Sequence, residues 1–230
     1  MNILITGASS GIGEAIALEM AKDKHNFYLL GRNEQRLNLV KEKVNNLGGN
    51  AFIGVGNVSI PEEVENNYTT AVEKIGPIDV LIANAGVGFF NNLENISVEE
   101  FDLMMNTNVK GVFLWLRQVV PDMKKRNTGQ IIIMSSNAGF NAYKRGGIYC
   151  ASKHAIQAMM GSLRLELADT RVKIASINPG SVDTPWFDKK PNSSSIDRTK
   201  MLSAQDVAKS ARLIITQSET SNIDHVLLQY

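Results

Sequence analysis

Short apolar runs, rich in β-branched residues, recur along this chain. They cover Asn2 to Thr6, Phe27 to Leu30, Ala51 to Val55, Val80 to Ala83, Gln130 to Ser135, Val172 to Asn178 and Ile223 to Leu228. Continuous apolar runs of this length predict strands buried on both faces. Between them the period changes from two to that of a helix. Ile12 to Lys22 is Ala-rich with helical spacing, and Glu34 to Leu47 repeats Leu37, Val40, Val44 and Leu47. Pro61 to Ile75 opens with a proline followed by acids, as a helix start should. Ser97 opens the next helix, with Glu100 three residues on as a capping box. Asn108 to Arg126, Tyr149 to Ala168 and Ala204 to Thr216 complete the set, with a break expected where Thr107-Asn108 joins the preceding helix.

Strand–helix alternation with short connections predicts an α/β fold, a parallel sheet covered by helices on both sides. Right-handed crossovers make the doubly wound Rossmann form its natural arrangement. No linker rich in Gly, Ser or Pro divides the chain, so residues 1–230 are expected to form a single domain. Pro185 to Lys200 differs in texture. It holds Pro191 and Ser193-Ser194-Ser195 without a clear period, and reads as a loop beyond a strand end, either a substrate loop or a solvated surface loop.

Composition narrows the classes without choosing among them. The 230 residues are 43% apolar and 20% charged, with a net charge of +1. No global field would draw nucleic acid or an anionic membrane. No apolar run approaches the ~20 residues of a membrane span. Cys150 is the single cysteine, which excludes an internal disulfide and fits a cytoplasmic setting. No secretory leader is expected, because Ile3-Leu4-Ile5 runs straight into Thr6-Gly7. His25, His154 and His225 lack ligand-like spacing, so no metal is assigned. Cys150 itself reads as a small buried apolar residue rather than a redox switch.

Two clusters carry candidate chemistry. Tyr149 and Lys153 are four residues apart, on one face of a predicted helix. An ammonium there favours the phenolate and lowers the tyrosine pKa from roughly 10, which suits proton exchange at a carbonyl or alcohol oxygen. Alone the pair is weak, since Tyr-x-x-x-Lys arises by chance on many helices. Ser136 lies thirteen residues before the tyrosine, just past a predicted strand. The second cluster is Thr6-Gly7-Ala8-Ser9-Ser10-Gly11-Ile12-Gly13, between the first strand and first helix. Glycines permit a tight turn close to a diphosphate, which then sits at a helix N-terminus.

With these residues in order, the sequence resembles the short-chain dehydrogenase/reductase family. The shared marks are Thr-Gly-x-x-x-Gly-x-Gly (Thr6 to Gly13), Asn84-Ala85-Gly86, Asn108, Ser136, Tyr149 with Lys153, and Pro179-Gly180. The resemblance spans essentially the whole chain. It implies a seven-stranded sheet in the order 3-2-1-4-5-6-7 and an NAD(P)-dependent oxidoreductase. Within it Tyr149 is the acid/base, Lys153 tunes it and holds the nicotinamide ribose, and Ser136 holds the substrate oxygen. Ser135 is the rival serine; the family pattern aligns the second of the two. Asn108, which alone would read as a kink or cap, supports a proton relay. Gly7, Ser9, Ser10, Gly11, Ile12 and Gly13 form the diphosphate turn. Asn84, Ala85 and Gly86 line the adenosine side, and Pro179, Gly180, Val182 and Thr184 shape the nicotinamide end. Asn57-Val58 departs from the usual Asp-Val at the adenine contact, though an amide can still exchange hydrogen bonds with a base.

Cofactor choice is read at the end of the second strand, where an acid would hold a ribose 2′-OH. Here Gly31-Arg32-Asn33 offers no carboxylate before Glu34. Arg32 could instead clamp a 2′-phosphate, so NADP(H) is expected over NAD(H). The substrate, a small carbonyl or alcohol, would be set by Phe89-Phe90, Asn137 to Gly147 and Pro185 to Lys200, where Phe89, Phe140, Trp186 and Phe187 suggest an apolar lining, though aromatics more often pack as core. Two other readings stand beside this one. Lys189, Lys190, Arg198 and Lys200 could dock a carrier protein for 3-oxoacyl reduction, and a non-catalytic nucleotide sensor would share the turn. By the resemblance, Asn108 to Arg126 and Tyr149 to Ala168 would pair subunits in a homodimer or homotetramer.

Overall fold

The computed structural model describes residues 1–188 and 197–230. Its strands are β1 (Asn2–Thr6), β2 (Asn26–Gly31), β3 (Asn50–Val55), β4 (Val80–Ala83), β5 (Gly129–Met134), β6 (Val172–Pro179), β7 (Val182–Asp183), β8 (Leu202–Ser203) and β9 (His225–Leu228). Seven form one sheet in the order β3-β2-β1-β4-β5-β6-β9, while β7 and β8 pair separately. Every pairing is parallel, with Ile3 opposite both Phe27 and Val80, and Ile131 opposite Ile174. This is the predicted order; β9 takes the seventh place because two short strands precede it.

The helices are α1 (Gly11–Ala21), α2 (Glu34–Asn46), α3 (Pro61–Ile75), α4 (Val98–Met105), α5 (Gly111–Arg126), α6 (Gly147–Glu166) and α7 (Ala204–Ile215). Strand side chains alternate between faces, so β1 feeds two cores. Ile3 and Ile5 pack with Ile16, Met20, Leu37 and Val207 from α1, α2 and α7. Leu4 packs on the opposite face with Val64, Trp115, Val119, Ile156 and Met160 from α3, α5 and α6. The sheet is therefore sandwiched, which explains why its strands read as unbroken apolar runs.

Local signals set the helix ends. Ser97 and Glu100 form the expected capping box, and Ser203 with Asp206 forms a second at α7. Pro61 stands at the start of α3. The expected break before α5 is a π turn over Asn106–Lys110 that joins α4 to α5 without a gap. Turns of this kind recur at functional sites, and this one contains Asn108. The strand order reverses between β1 and β4, so the segments after them flank the crevice where α/β sheets bind ligands. Of the predicted substrate loop, residues 189–196, including Lys189 and Lys190, lie outside the described residues.

Candidate active site

The turn after β1 is built around glycines for geometric reasons. Gly7 and Gly11 have φ of +66° and +61°, left-handed values that favour glycine. A Cβ on Gly7 would stand 2.9 Å from Ala85 Cα, and one on Gly11 3.2 Å from Thr184 Cβ. A Cβ on Gly13 would strike the Gly7 carbonyl. Asn84 clamps the turn, its Nδ2 donating to the carbonyls of Thr6 and Gly7 at 3.0 and 3.2 Å. Thr6 Oγ1 returns the tie by accepting from the backbone of Asn84 and Ala85, each at 3.0 Å. One turn thus joins β1, β4 and Thr184.

That turn delivers α1 with its first N–H groups uncapped. Ser10 occupies the N-cap in extended backbone, yet its hydroxyl makes no capping bond, whereas Asn33, Ser97 and Ser203 cap α2, α4 and α7. Free N–H groups and the helix dipole favour an anion at this point. Ser9 lies beside Gly31 at the end of β2, its Oγ 3.3 Å from where a Gly31 Cβ would stand. Ile12 packs against the core. Gly7, Gly11, Gly13 and the start of α1 are the groups that would hold a diphosphate here.

The second half of the site lies across the crevice on β5, β6, α6 and the π turn before α5. Ser136 follows β5, with its Oγ 3.3 Å from the Pro179 carbonyl and accepting from Ala138 N at 3.2 Å. Tyr149 and Lys153 share one face of α6, as their spacing requires. The Lys153 ammonium donates to the Met134 carbonyl at 2.9 Å and lies 5.8 Å from the centre of the Tyr149 ring. Asn108 is fully buried. Its Oδ1 accepts from Val87 N at 2.8 Å, and its Nδ2 donates to the Val87 carbonyl at 2.9 Å and Ser152 Oγ at 3.0 Å. Ser152 donates on to the Tyr149 carbonyl at 2.7 Å. Asn108, on the π turn, therefore fastens the β4 exit to the tyrosine's own turn of helix.

Aromatic rings wall the tyrosine. Phe90 meets it edge-on at 5.3 Å and Trp186 lies at 6.2 Å, with Phe90 and Trp186 5.6 Å apart. Tyr143 stacks on Phe90 at 6.3 Å. Gly88 passes between them; a Cβ there would stand 2.8 Å from Trp186 Cζ2 and 2.9 Å from Tyr149 Cδ2. Burial pushes the phenol up to about 12, only partly offset by the neighbouring Ser136 hydroxyl. Burial also brings the Lys153 ammonium down to about 8. The sequence led us to expect a lowered tyrosine. Here burial of the ring outweighs the Ser136 hydroxyl, while the ammonium donates to the Met134 carbonyl.

A short chain dehydrogenase model matches residues 1–194. The chain belongs to the short-chain dehydrogenase family. An uncharacterised oxidoreductase of Staphylococcus epidermidis is 34% identical over 226 residues, covering 98% of this chain and 95% of that one. An alcohol dehydrogenase from Thermococcus sibiricus, complexed with 5-hydroxy-NADP, superposes with a TM-score of 0.91 at 30% identity, covering 99% of this chain and 95% of that one. A closed form of serine dehydrogenase complexed with NADP+ gives 0.93 at 29% identity, covering 100% and 95%. The chain is thus an oxidoreductase of the NAD(P)-dependent dehydrogenase/reductase class, and a nicotinamide cofactor goes with it.

The remaining predicted contacts of this dehydrogenase are distributed around the crevice. Arg32 is exposed just past β2. Asn57 uses its Oδ1 locally, accepting from Ser59 N and Oγ at 3.1 and 2.9 Å. Val58 packs into the core against Gly111. Val182 is buried in the core beneath the crevice, and Thr184 faces Gly11. Gly86 lies beside Lys153 and Asn108. Gly180 N donates to the Leu228 carbonyl at 2.9 Å, tying the β6 exit to β9. Sequence reasoning did not single out Ser152, whose place one residue before Lys153 was its only signal, or Gly88, which carries none. Among the described residues no helix is long and apolar enough to cross a membrane.

Proposed function

We propose that this dehydrogenase transfers hydride between NADP(H) and the carbonyl or alcohol carbon of a small, largely apolar molecule. The observation that carries this reading is the convergence of Ser136, Tyr149, Lys153 and Asn108 on one wall of a crevice whose other wall is the uncapped α1 turn. The nicotinamide, when bound, supplies or accepts the hydride. In reduction, the Ser136 hydroxyl holds the substrate oxygen while the Tyr149 phenol gives it a proton. With its pKa near 12, the phenol stands fully protonated at neutral pH and ready to donate. The Lys153 ammonium balances the phenolate left behind, and Asn108 keeps both on their helical turn. In oxidation the same groups run in reverse.

Arg32, with no acid before Glu34, supports NADP(H) through a charge-assisted clamp on the 2′-phosphate. The NADP ligands named for the two similar structures agree with this. Phe90, Tyr143 and Trp186 favour an apolar substrate. Reduction on a carrier protein draws less support. Arg198 is engaged with Asp183 at 2.9 Å and with Asp188, and Lys200 pairs with Asp197 at 3.8 Å, so each of these two cations has a carboxylate partner nearby. Exposed Phe113 and Leu165 on α5 and α6 support pairing into a homodimer or homotetramer, which light scattering checks.

The test follows NADPH absorbance across aldehydes, ketones, diketones and 3-oxoacyl thioesters, with Tyr149→Phe beside the wild type. Turnover that falls about a hundredfold or more in the variant, with NADPH binding retained, is the expected result. Full activity in Tyr149→Phe would sink the assignment.

A further inference from the structure

The helical row that presents Tyr149 and Lys153 continues to Gln157, four residues further along α6 on the same face. Its Nε2 donates to Asn178 Oδ1 at 2.5 Å and to Ser135 Oγ at 3.2 Å. Asn178 precedes Pro179 at the end of β6, and Ser135 precedes Ser136 at the end of β5. The amide orientations are fixed by their neighbours. Asn178 Nδ2 donates to the Ser176 carbonyl, Ser176 Oγ and the Val226 carbonyl at 3.2, 2.9 and 3.2 Å. The Asn178 oxygen therefore turns to Gln157 and requires a donor. Gln157 meets this demand although its own buried Oε1 has no partner among the described residues. Gly139, in the turn after Ser136, presses on the same place: a Cβ there would stand 3.0 Å from Ser135 Oγ and 3.1 Å from both Gln157 Cγ and the Lys153 carbonyl.

We infer that Gln157 is a positioning residue for hydride transfer, an assignment that rests on the catalytic reading above. It holds the β5 exit, which carries Ser136, and the β6 exit, which carries Pro179 and Gly180, at a set distance from the Tyr149–Lys153 face. The two exits also touch directly, Ser136 Oγ lying 3.3 Å from the Pro179 carbonyl, so slack in one displaces the other. Gln157 acts only through Asn178 and Ser135. The titratable groups around it are Lys153, one turn earlier, and His225, reached through Asn178 and Ser176, whose Oγ lies 2.7 Å from His225 Nδ1.

Two variants test this in the full chain. Gln157→Leu removes the donor; kcat falls about ten- to a hundredfold, the range for a small misplacement of reacting groups, while the NADPH Kd stays within about twofold. Gln157→Glu can donate to Asn178 Oδ1 only when its carboxyl is protonated. Its kcat recovers at low pH and falls as the carboxyl ionises, adding a limb that the pH profiles of wild type and Gln157→Leu lack. Hydrogen exchange gives a readout independent of turnover: residues 134–140 and 176–182 exchange faster together in Gln157→Leu. Wild-type kcat in Gln157→Leu, or a Gln157→Glu profile without the extra limb, overturns the positioning role. If the wild type reduces no carbonyl in the panel, the catalytic reading has failed by itself. Exchange then judges the bracket alone, and unchanged rates in either segment defeat it. Should Gln157→Leu not fold, the pH profile of Gln157→Glu carries the decision.

Discussion

Replacing Lys153 by methionine should make the stability of this dehydrogenase depend differently on pH. Lys153 is 4% exposed, and burial brings its ammonium from 10.5 down to about 8. The unfolded chain therefore binds this proton more tightly than the folded one. Below about pH 8 both states are charged and folding bears the whole cost, about 3 kcal/mol for that gap. Stability then rises with pH from about 8 to 10.5, because the folded state loses its proton first. Between pH 7 and pH 10 the wild type should gain about 2.5 kcal/mol relative to Lys153→Met. The lost bond to the Met134 carbonyl shifts the two curves apart by a constant and leaves the slope alone. Tyr149, raised to about 12, works the opposite way: its stabilising proton is lost as pH climbs above 10, which sets the upper end of the window. Urea unfolding of both chains at pH 7, 8, 9 and 10, at fixed ionic strength, measures the difference. Curves that stay parallel within about 0.5 kcal/mol, far below the expected divergence, would refute a buried, deprotonation-prone Lys153.

Other substitutions probe separate parts of the site. Asn108→Ala removes the partner of the half-buried Val87 N–H and carbonyl and one of the two bonds of the buried Ser152 hydroxyl, and should cost about 3 kcal/mol of stability along with most of kcat, read by denaturation and initial rates. Arg32→Ala should raise the Kd for NADPH about tenfold or more while leaving NADH unchanged, as fluorescence titration will show; equal losses for both cofactors would argue against a 2′-phosphate clamp. In Gly13→Ala the added methyl meets the Gly7 carbonyl, so the turn must open. Both cofactors should bind at least about tenfold more weakly, a factor worth about 1.4 kcal/mol, and calorimetry reads this directly.

The layered fold was legible because its causes are local. Val80 to Ala83 must be buried on both faces, Pro61 and Ser97 start helices wherever they stand, and Gly7 and Gly11 adopt backbone that other residues resist. Tyr149 and Lys153 share a face through helical geometry alone. Helix ends moved by a residue or two, as at α6, which begins at Gly147 rather than Tyr149. The break before α5 was visible as a discontinuity, but its form as a π turn was not, because that depends on Asn108 reaching Val87 and Ser152 across the fold.

The sequence by itself determined which chemical groups are present and which neighbours along each helix or strand face the same way. It did not determine the charge state of those groups. The Tyr149 pKa is raised by burial of the ring, which Phe90, Gly88 and Trp186 help enclose, and only partly lowered by the Ser136 hydroxyl, and these contacts join segments far apart in the chain. The same holds for Gln157, an ordinary polar residue on an amphipathic helix until the sheet brings the ends of β5 and β6 beneath it. Spacing is a short-range property of the backbone, whereas desolvation and cross-strand hydrogen bonding arise only when the sheet and its two layers close.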